Sequence, residues 1–432
     1  MMEDKLPKGW TFRKIGDLSE QINGKAFKPS DWSNKGTPII RIQNLNNFKA
    51  DFNYSENIID EKFHVYDGDL LFAWSGTPGT SFGAHIWNRG KAYLNQHIFK
   101  IKIINDQLNQ SYYYYALKIT VEKFIIQAQG TAGLAHITKK KFENTEIPLP
   151  PIPEQQRIVA KLDALFGHLD SLREKLDGIP ALLKNFRQQV LTQAVTGELT
   201  KAKMSIVSLG EYLEDIKYGT SKKSEFGLDG TPILRIPNIE VDKGLISNSD
   251  LKYSQLDDKE YEKLKLRLGD ILIIRSNGSV SLVGQSAIIQ ETEEGYGYAG
   301  YLVRLRTSEG LLPKFLNYML KSNYLRSQIV ETARSTSGVN NINSTEIKSL
   351  KIPITSLENQ KAIVERIELL FNISDKIESQ YQILKAKVDQ LPQAILAKAF
   401  RGELVGQVVK EYVVEEREGL MAAEGKKEYG IK

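Results

Sequence analysis

Several stretches of this chain carry residue types at spacings known from catalysis, and each fails on context. Gly295-Tyr-Gly-Tyr-Ala-Gly300 matches a dinucleotide-binding loop. That loop works only between a strand and a helix whose N-terminus holds the pyrophosphate. Here Tyr301-Leu-Val-Arg-Leu305 follows, a strand pattern, so a plain glycine-rich loop is expected. Gly79-Thr-Ser-Phe-Gly83 matches a nucleophile elbow. It lacks the strand–turn–helix setting, and the last histidine, His168, falls on a long helical stretch instead of a late strand end. Asn277-Gly-Ser279 and Asn343-Ser-Thr345 match glycosylation sequons, but nothing routes the chain outside the cell. There is no phosphate-binding P-loop, no His-Glu-x-x-His and no glycine-rich methyl-donor motif. No tetrapeptide like Asn-Pro-Pro-Tyr occurs, and the five histidines do not cluster at ligand spacing. The chain reads as one without chemistry of its own and with no metal site.

What remains is a set of polar and basic loop residues. Arg and Lys suit guanine, Asn and Gln suit adenine, Ser and Thr adapt to either, and Lys and Arg also grip phosphates. In the first part of the chain the candidates are Trp74, Ser75, Thr77, Asn95, Gln96, His97, Thr131, Gly133, His136, Lys139 and Lys140. In the second they are Arg275, Ser276, Asn277, Ser279, Tyr298, Arg334, Ser335, Thr336, Ser337, Asn340 and Asn341. Arg41 and Arg235 occupy equivalent strand positions and either contact DNA or pair with an internal acid. Lys139–Lys141 also fits a solvated face, and Lys222-Lys223 fits one better. Tyr112–Tyr115 on a helix reads as core on one side and rim on the other.

The elements that must position these loops are set by a duplication. Ile158, Leu162, Leu165, Leu169, Leu172, Leu176, Ile179, Leu183, Phe186 and Val190 step by four and three, the seam of a coiled coil. Adding 205 gives Ile363, Ile367, Leu370, Ser374, Ile377, Tyr381, Leu384, Val388, Leu391 and Ile395, the same seam with Ser374 and Tyr381 as its soft spots. The flanks keep register too: Gln155 falls on Gln360, Ile147-Pro148 on Ile352-Pro353, and Gly197-Glu-Leu199 on Gly402-Glu-Leu404. One offset without gaps is an internal repeat. The globular parts repeat more loosely, Gly36-Thr-Pro-Ile-Ile-Arg-Ile against Gly230-Thr-Pro-Ile-Leu-Arg-Ile, and Gly68-Asp-Leu-Leu against Gly269-Asp-Ile-Leu. Strands are expected over 37–44, after 67–69 and over 92–103, with helices near 14–21 and over 111–127. A long helix is expected over 154–196, kinked at Gly178 and Pro180 and ended by Gly197; Pro392 should kink its copy. Pro153 and Glu154 suit the first turn of the first copy, and Thr355 with Glu358 have capping-box spacing in the second.

These patterns divide the chain into globular units over 1–150 and 204–352, long helices over 151–203 and 353–406, and a charged tail over 407–432 that is expected to fray. A chain of 432 residues exceeds one ordinary core, and 41% hydrophobic with 26% charged residues fits a globular protein. The absence of cysteine excludes disulfides and thiolate metal sites and fits the cytoplasm. No signal peptide is expected from Met1-Met-Glu-Asp-Lys-Leu-Pro-Lys8, and no apolar run approaches a membrane span. The net charge of +5 permits contact with nucleic acid.

Two unlike globular units, each followed by a closely repeated amphipathic helix, resemble the specificity subunits of type I restriction–modification enzymes. The resemblance rests on Pro151-Ile-Pro-Glu-Gln-Gln-Arg-Ile-Val159 with Gly197-Glu-Leu199, and on Leu357-Glu-Asn-Gln-Lys-Ala-Ile-Val364 with Gly402-Glu-Leu404. It implies an α+β fold: two mixed α/β target-recognition domains separated by two long antiparallel coiled-coil spacer helices, with an internal pseudo-two-fold repeat. Each domain would read one half of a bipartite site in double-stranded DNA. Half-sites on one face of the duplex would lie about 10–10.5 bp apart, centre to centre. Two methyltransferase (modification) subunits would dock on the spacers, and restriction/translocase subunits would complete the enzyme. The chain itself would need no cofactor, since methyl donor and nucleotide would be held by those partners. Ser335-Thr-Ser-Gly-Val-Asn-Asn-Ile342 looks like the family's glycine-containing DNA-contact loop, with Gly130-Thr-Ala-Gly-Leu-Ala-His-Ile137 as its counterpart. Two other classes stand against this reading. A self-contained methyltransferase or nuclease lacks its motifs, and a duplicated coiled-coil scaffold that binds only proteins would show no DNA affinity.

Overall fold

The computed structural model describes residues 6–77, 80–127, 135–336 and 339–406. These form two compact units, one of residues up to 175 together with 384 onward, the other of residues 176–383. The divisions thus fall inside both long helices. Each globular part is accompanied by a piece of helix from each half of the repeat.

In the first unit an antiparallel sheet runs in the order Ser19–Asn23, Ile98–Ile103, Leu70–Ala73, Gly83–Ile86. A second sheet places Thr37–Ile40 parallel to Ala92–Leu94, flanked by Asn53–Ser55 and His64–Val65. Thr11–Lys14 pairs with Glu146–Leu149 and so closes the unit's ends on each other. The core between sheet and helix holds Phe72, Phe99, Phe124 and Phe142, with Tyr112, Tyr113 and Tyr115 buried beside them. Tyr112, Tyr113 and Tyr115 are therefore core and half-buried Tyr114 is rim, the two-sided placement its helical spacing suggests.

The second unit repeats this plan. Its sheet runs Leu213–Tyr218, Leu302–Thr307, Ile271–Ile274, Ser286–Ile288. Thr231–Leu234 lies parallel to Gly297–Tyr298, and Ser205–Ser208 pairs with Lys351–Ile354. Arg304, fully buried, binds Asp215 and the carbonyls of Lys263 (3.4 Å) and Lys265 (3.2 Å).

Some sequence expectations change. The stretch near 14–21 is two strands around a four-residue helix, Ile15–Leu18, because Ser19 and Gln21 point inward on a sheet. The strand expected over 92–103 is two, parted at Asn95-Gln-His97. The first long helix is parted at Gly178 into Ile152–Asp177 and Ile179–Thr196, and Gly197 (φ +80°) ends it. Leu357–Phe400 is one helix with Pro392 inside it. Its start uses Ser356, whose Oγ accepts the Asn359 N–H (3.3 Å), and Thr355 Oγ1 accepts the Asn359 side chain instead (3.2 Å).

The helices run antiparallel within each unit. In the first, Arg157 donates to the Gly406 carbonyl (3.0 Å) while Arg173 faces Asp389 (3.8 Å). In the second, Arg187 binds Asp375 and Glu378 (both 2.7 Å), and Val190, Leu191 and Ala194 pack with Ile363, Val364 and Ile367. The seam is narrower than its heptads imply. Leu162, Leu169, Leu176, Leu183 and Val190 are buried, as are Ile367, Ser374, Tyr381 and Val388. The alternate positions Leu172, Phe186, Ile377, Leu384 and Leu391 stay exposed. Leu165, Ile179, Leu370 and Ile395 are half-buried, so among the described residues part of the apolar stripe is left uncovered. Among the described residues, no helix is long and apolar enough to cross a membrane. The tail over 407–432 lies outside the described residues.

Candidate DNA interface

The loops singled out by residue type come together in each unit, at the same place in the fold. In the first unit the short strand Ser75–Gly76 leaves the central sheet and pairs with Ala135–His136, so that Ser75 lies opposite His136. In the second, Ser276–Asn277 pairs with Val339–Asn341, which pairs in turn with Arg334–Thr336. The ribbons are hung by identical backbone bonds. Trp74 N donates to the His97 carbonyl (3.2 Å) and Trp74 O accepts from Ile137 N (3.0 Å). Arg275 N donates to the Tyr301 carbonyl (2.9 Å) and Arg275 O accepts from Ile342 N (2.9 Å).

Glycine sets the neighbouring edge. A Cβ on Gly24 would lie 2.0 Å from the Asn95 carbonyl oxygen, and one on Gly219 would lie 2.3 Å from those of Tyr298 and Ala299. Only glycine lets the end of the first sheet strand approach the reading loop this closely. It brings Asn23 and Tyr218, the residues just before the two glycines, under the ribbons.

The side chains then differ completely. In the first unit Trp74 is half-buried. Its ring lies 4.9 Å from that of His136, 5.2 Å from His97 and 5.8 Å from Phe99, and its Nε1 donates to Asn23 Oδ1 (3.1 Å). Gln96 Nε2 is 3.1 Å from His97 Nε2, and Asn95 Oδ1 accepts the Gln96 N–H (2.8 Å). Burial, and then the neighbouring His136, hold the His97 pKa below its usual value. In the second unit the Arg275 guanidinium lies 4.5 Å from the Tyr218 ring centroid, and its Nε donates to Asn341 Oδ1 (3.3 Å). Asn340 Nδ2 donates to the Gly278 carbonyl (3.0 Å), and Asn277 Oδ1 accepts from Ser279 N (2.9 Å).

The remaining expected residues divide. Thr77 is exposed beside the first ribbon and its N–H donates to Ser81 Oγ (3.2 Å). Lys139 is tied down, donating to the Gln21 carbonyl (3.0 Å), and Lys140 is exposed. Arg41 lies over Trp32 (5.9 Å), while Arg235 donates to the Asp250 carbonyl (2.7 Å), lies 3.5 Å from its carboxylate and covers Phe226 (5.8 Å). Both sit where the parallel strands end, next to the reading loops. Tyr298 is a correction. It is fully buried among Leu234, Leu272 and Leu302, and its hydroxyl donates to the Lys217 carbonyl (3.2 Å). Its place in the repeat is that of buried Leu94, so it is a core residue and not a surface contact. Arg334, Ser335 and Thr336 contribute a strand to the second ribbon. Thr131, Gly133 and Ser337 lie outside the described residues. Asn23, Tyr218 and exposed Tyr301 were not singled out from sequence, although the matched Asn23-Gly24 and Tyr218-Gly219 steps signal the first two.

A duplicated α+β scaffold that presents two dissimilar polar ribbons on similar frames defines a protein built to recognise, twice over, different patterns of one kind of ligand. The family model for the type I restriction modification DNA specificity domain matches residues 7–181 and again 201–385. The chain belongs to that family, and its function is DNA target recognition in a restriction–modification system. It is 31% identical to the type I restriction enzyme EcoBI specificity subunit of Escherichia coli, over 92% of this chain and 87% of that one. It is 29% identical to the EcoKI specificity subunit of Escherichia coli strain K12, over 94% and 92%. The fold is that of the HsdS subunit from Thermoanaerobacter tengcongensis (TM-score 0.61, 21% identity, 92% of this chain and 98% of that one). A chain from a solved type I restriction–modification assembly has a TM-score of 0.68 at 21% identity, covering 92% and 99%.

Proposed function

We propose that this chain is the non-catalytic subunit that reads a bipartite target in double-stranded DNA, one half-site per globular unit, and brings modification and restriction subunits to it. The observation that carries this reading is the matched pair of ribbons: the same backbone bonds hold Trp74 with His136 in one unit and Arg275 with Asn341 in the other. A common frame with exchanged side chains is what two readers of unlike half-sites require. The exposed apolar positions Leu172, Phe186, Ile377, Leu384 and Leu391 suit the docking of two methyltransferase subunits on the helices, since a stripe of this kind otherwise stays wet. Those partners hold the methyl donor, and the restriction/translocase subunits hold the nucleotide. The assembly works in the cytoplasm, where the DNA is.

Co-expression with the modification subunit, followed by mapping of methylated adenines on genomic DNA, tests this. Two short half-sites with a fixed gap are expected. A continuous motif would mean that one unit alone reads bases. No methylation and no co-purification would favour the duplicated protein-binding scaffold.

A further inference from the structure

The first residue of each ribbon is where the two units differ most in chemistry. Arg275 is the second unit's, and its setting differs from that of Arg304, Arg306, Arg187 and Arg326, whose guanidinium groups are taken up inside the protein. Arg304 binds Asp215, Arg306 binds Asp270 (2.7 and 2.8 Å), and Arg187 binds Asp375 and Glu378. Arg326 is spent on the carbonyls of Val283 (2.7 Å) and Ser281 (3.0 Å). Among the described residues no carboxylate pairs with Arg275. A neutral amide oxygen takes its Nε–H and an aromatic face supports its plane.

Each support is itself fixed. The Tyr218 hydroxyl accepts the Ser344 N–H (2.8 Å), which holds the ring. Asn341 is paired with Ser276 in the ribbon, and the Arg275 backbone is bonded on both sides. The guanidinium is thus oriented before any ligand arrives, and among the described residues neither terminal nitrogen has a hydrogen-bond partner. A planar fork with uncompensated charge matches two acceptors side by side, as on the O6/N7 edge of guanine or on a phosphate. Charge alone would serve a phosphate, without need of an aromatic platform and an amide. We infer that Arg275 reads a guanine in the half-site of the second unit, with Tyr218 and Asn341 as its positioning residues. The inference rests on the DNA-reading function proposed above. The first unit has Trp74, Asn23 and His136 at the equivalent places, so arginine readout at this point belongs to one half-site only.

The test uses the co-purified complex with the modification subunit, read by methylation mapping and by competition between duplexes. Trp74→Ala identifies the half-site of the first unit, and Arg275→Lys identifies the other. Arg275→Lys should lower discrimination at one guanine by roughly 5- to 150-fold, the equivalent of ~1–3 kcal/mol for a bidentate base contact, and leave the first half-site unchanged. Replacing that guanine by 7-deazaguanine should weaken the wild type strongly and a neutral Arg275→Gln variant not at all. Tyr218→Leu should blunt discrimination at the same base pair with normal complex yield, and Tyr218→Phe should retain most of it because the ring remains. With the neutral variant Arg275→Gln, equal weakening on every sequence, with the log–log salt slope reduced by about one, would make Arg275 a phosphate contact and overturn the inference. So would a half-site without guanine. A wild-type complex that methylates no split motif would instead sink the DNA-reading proposal itself.

Discussion

The two globular units keep the same buried brackets and exchange almost everything on their reading faces. Gln155 accepts from Asn109 N (2.8 Å) and donates to the Gln107 and Pro150 carbonyls (both 2.8 Å). Gln360 accepts from Leu312 N (2.9 Å) and donates to the Gly310 (3.0 Å) and Thr355 (2.8 Å) carbonyls. Asn44 and Asn238 do the same under the parallel strands, each accepting from the arginine N–H three residues back and donating to two carbonyls. These amides satisfy backbone groups, whose positions do not depend on the side chains a target demands. The reading residues are fixed mainly by backbone bonds, so their side chains are free to differ. A recognition fold can therefore be duplicated and re-aimed without rebuilding its interior.

The most damaging way to probe the shared brackets is Gln155→Leu or Gln360→Leu. Each strands one N–H and two carbonyls in a buried place. At ~1–3 kcal/mol per unsatisfied group, each change should destabilise its unit by roughly 3–9 kcal/mol. All four tryptophans, Trp10, Trp32, Trp74 and Trp87, belong to the first unit. Denaturant unfolding followed by tryptophan fluorescence should therefore shift for Gln155→Leu, while Gln360→Leu shifts only the far-ultraviolet dichroism. Unequal losses would show that the two brackets are not equivalent.

The exchanged faces are sharpened by transplantation. Asn23→Tyr, Trp74→Arg and His136→Asn together place the second unit's trio on the first unit's ribbon. Methylation mapping should then show a new guanine preference of about tenfold in the first half-site. Loss of Trp74 packing against Phe99 should cost roughly 1–2 kcal/mol of stability. A folded triple variant with the original half-site preference would mean that the frames differ in a way the matched backbone bonds conceal.

Much of this was legible in sequence, and the rest failed for identifiable reasons. The offset of 205 revealed the long helices because heptad spacing is a local pattern, and it paired Gln155 with Gln360. It could not reveal what those glutamines do, since their partners include carbonyls 48 and 50 residues away. The ribbon loops were recognisable by residue type, and Trp74, Ser75, Gln96, His97 and His136 do converge. Tyr298 misled because its glycine neighbours suggested a loop, whereas it ends a buried parallel strand. The exposed part of the heptad stripe was invisible in principle, because a periodic pattern states which side is apolar and not which part of it is covered.

The smallest expected difference concerns acid. All five histidines, His64, His85, His97, His136 and His168, lie in the first unit. Burial holds His85 below its ordinary value of 6.5, and His97 is lowered by burial and by His136. Folding thus favours their neutral forms, and the unfolded chain binds protons more readily. The stability they contribute is present above pH 6.5 and is lost as pH falls below it. The second unit has no histidine. Burial brings its Lys321 down to about 8, a change that acts mostly above pH 7.5; among its lowered carboxylates, burial would raise Asp215, but hydrogen bonds from Lys217 and Arg304 bring it down, and Glu260 is lowered by Lys222. Their contribution is lost only as pH falls below about 4. Asp60 and Glu403 add a similar strong-acid loss to the first unit. Between pH 7.5 and 5.5, then, the denaturation midpoint seen by tryptophan should drop while the second unit's dichroism transition stays in place. His85→Asn should remove part of that drop. A parallel shift of both transitions would mean that the two units do not unfold separately, and that the acid response belongs to the whole chain.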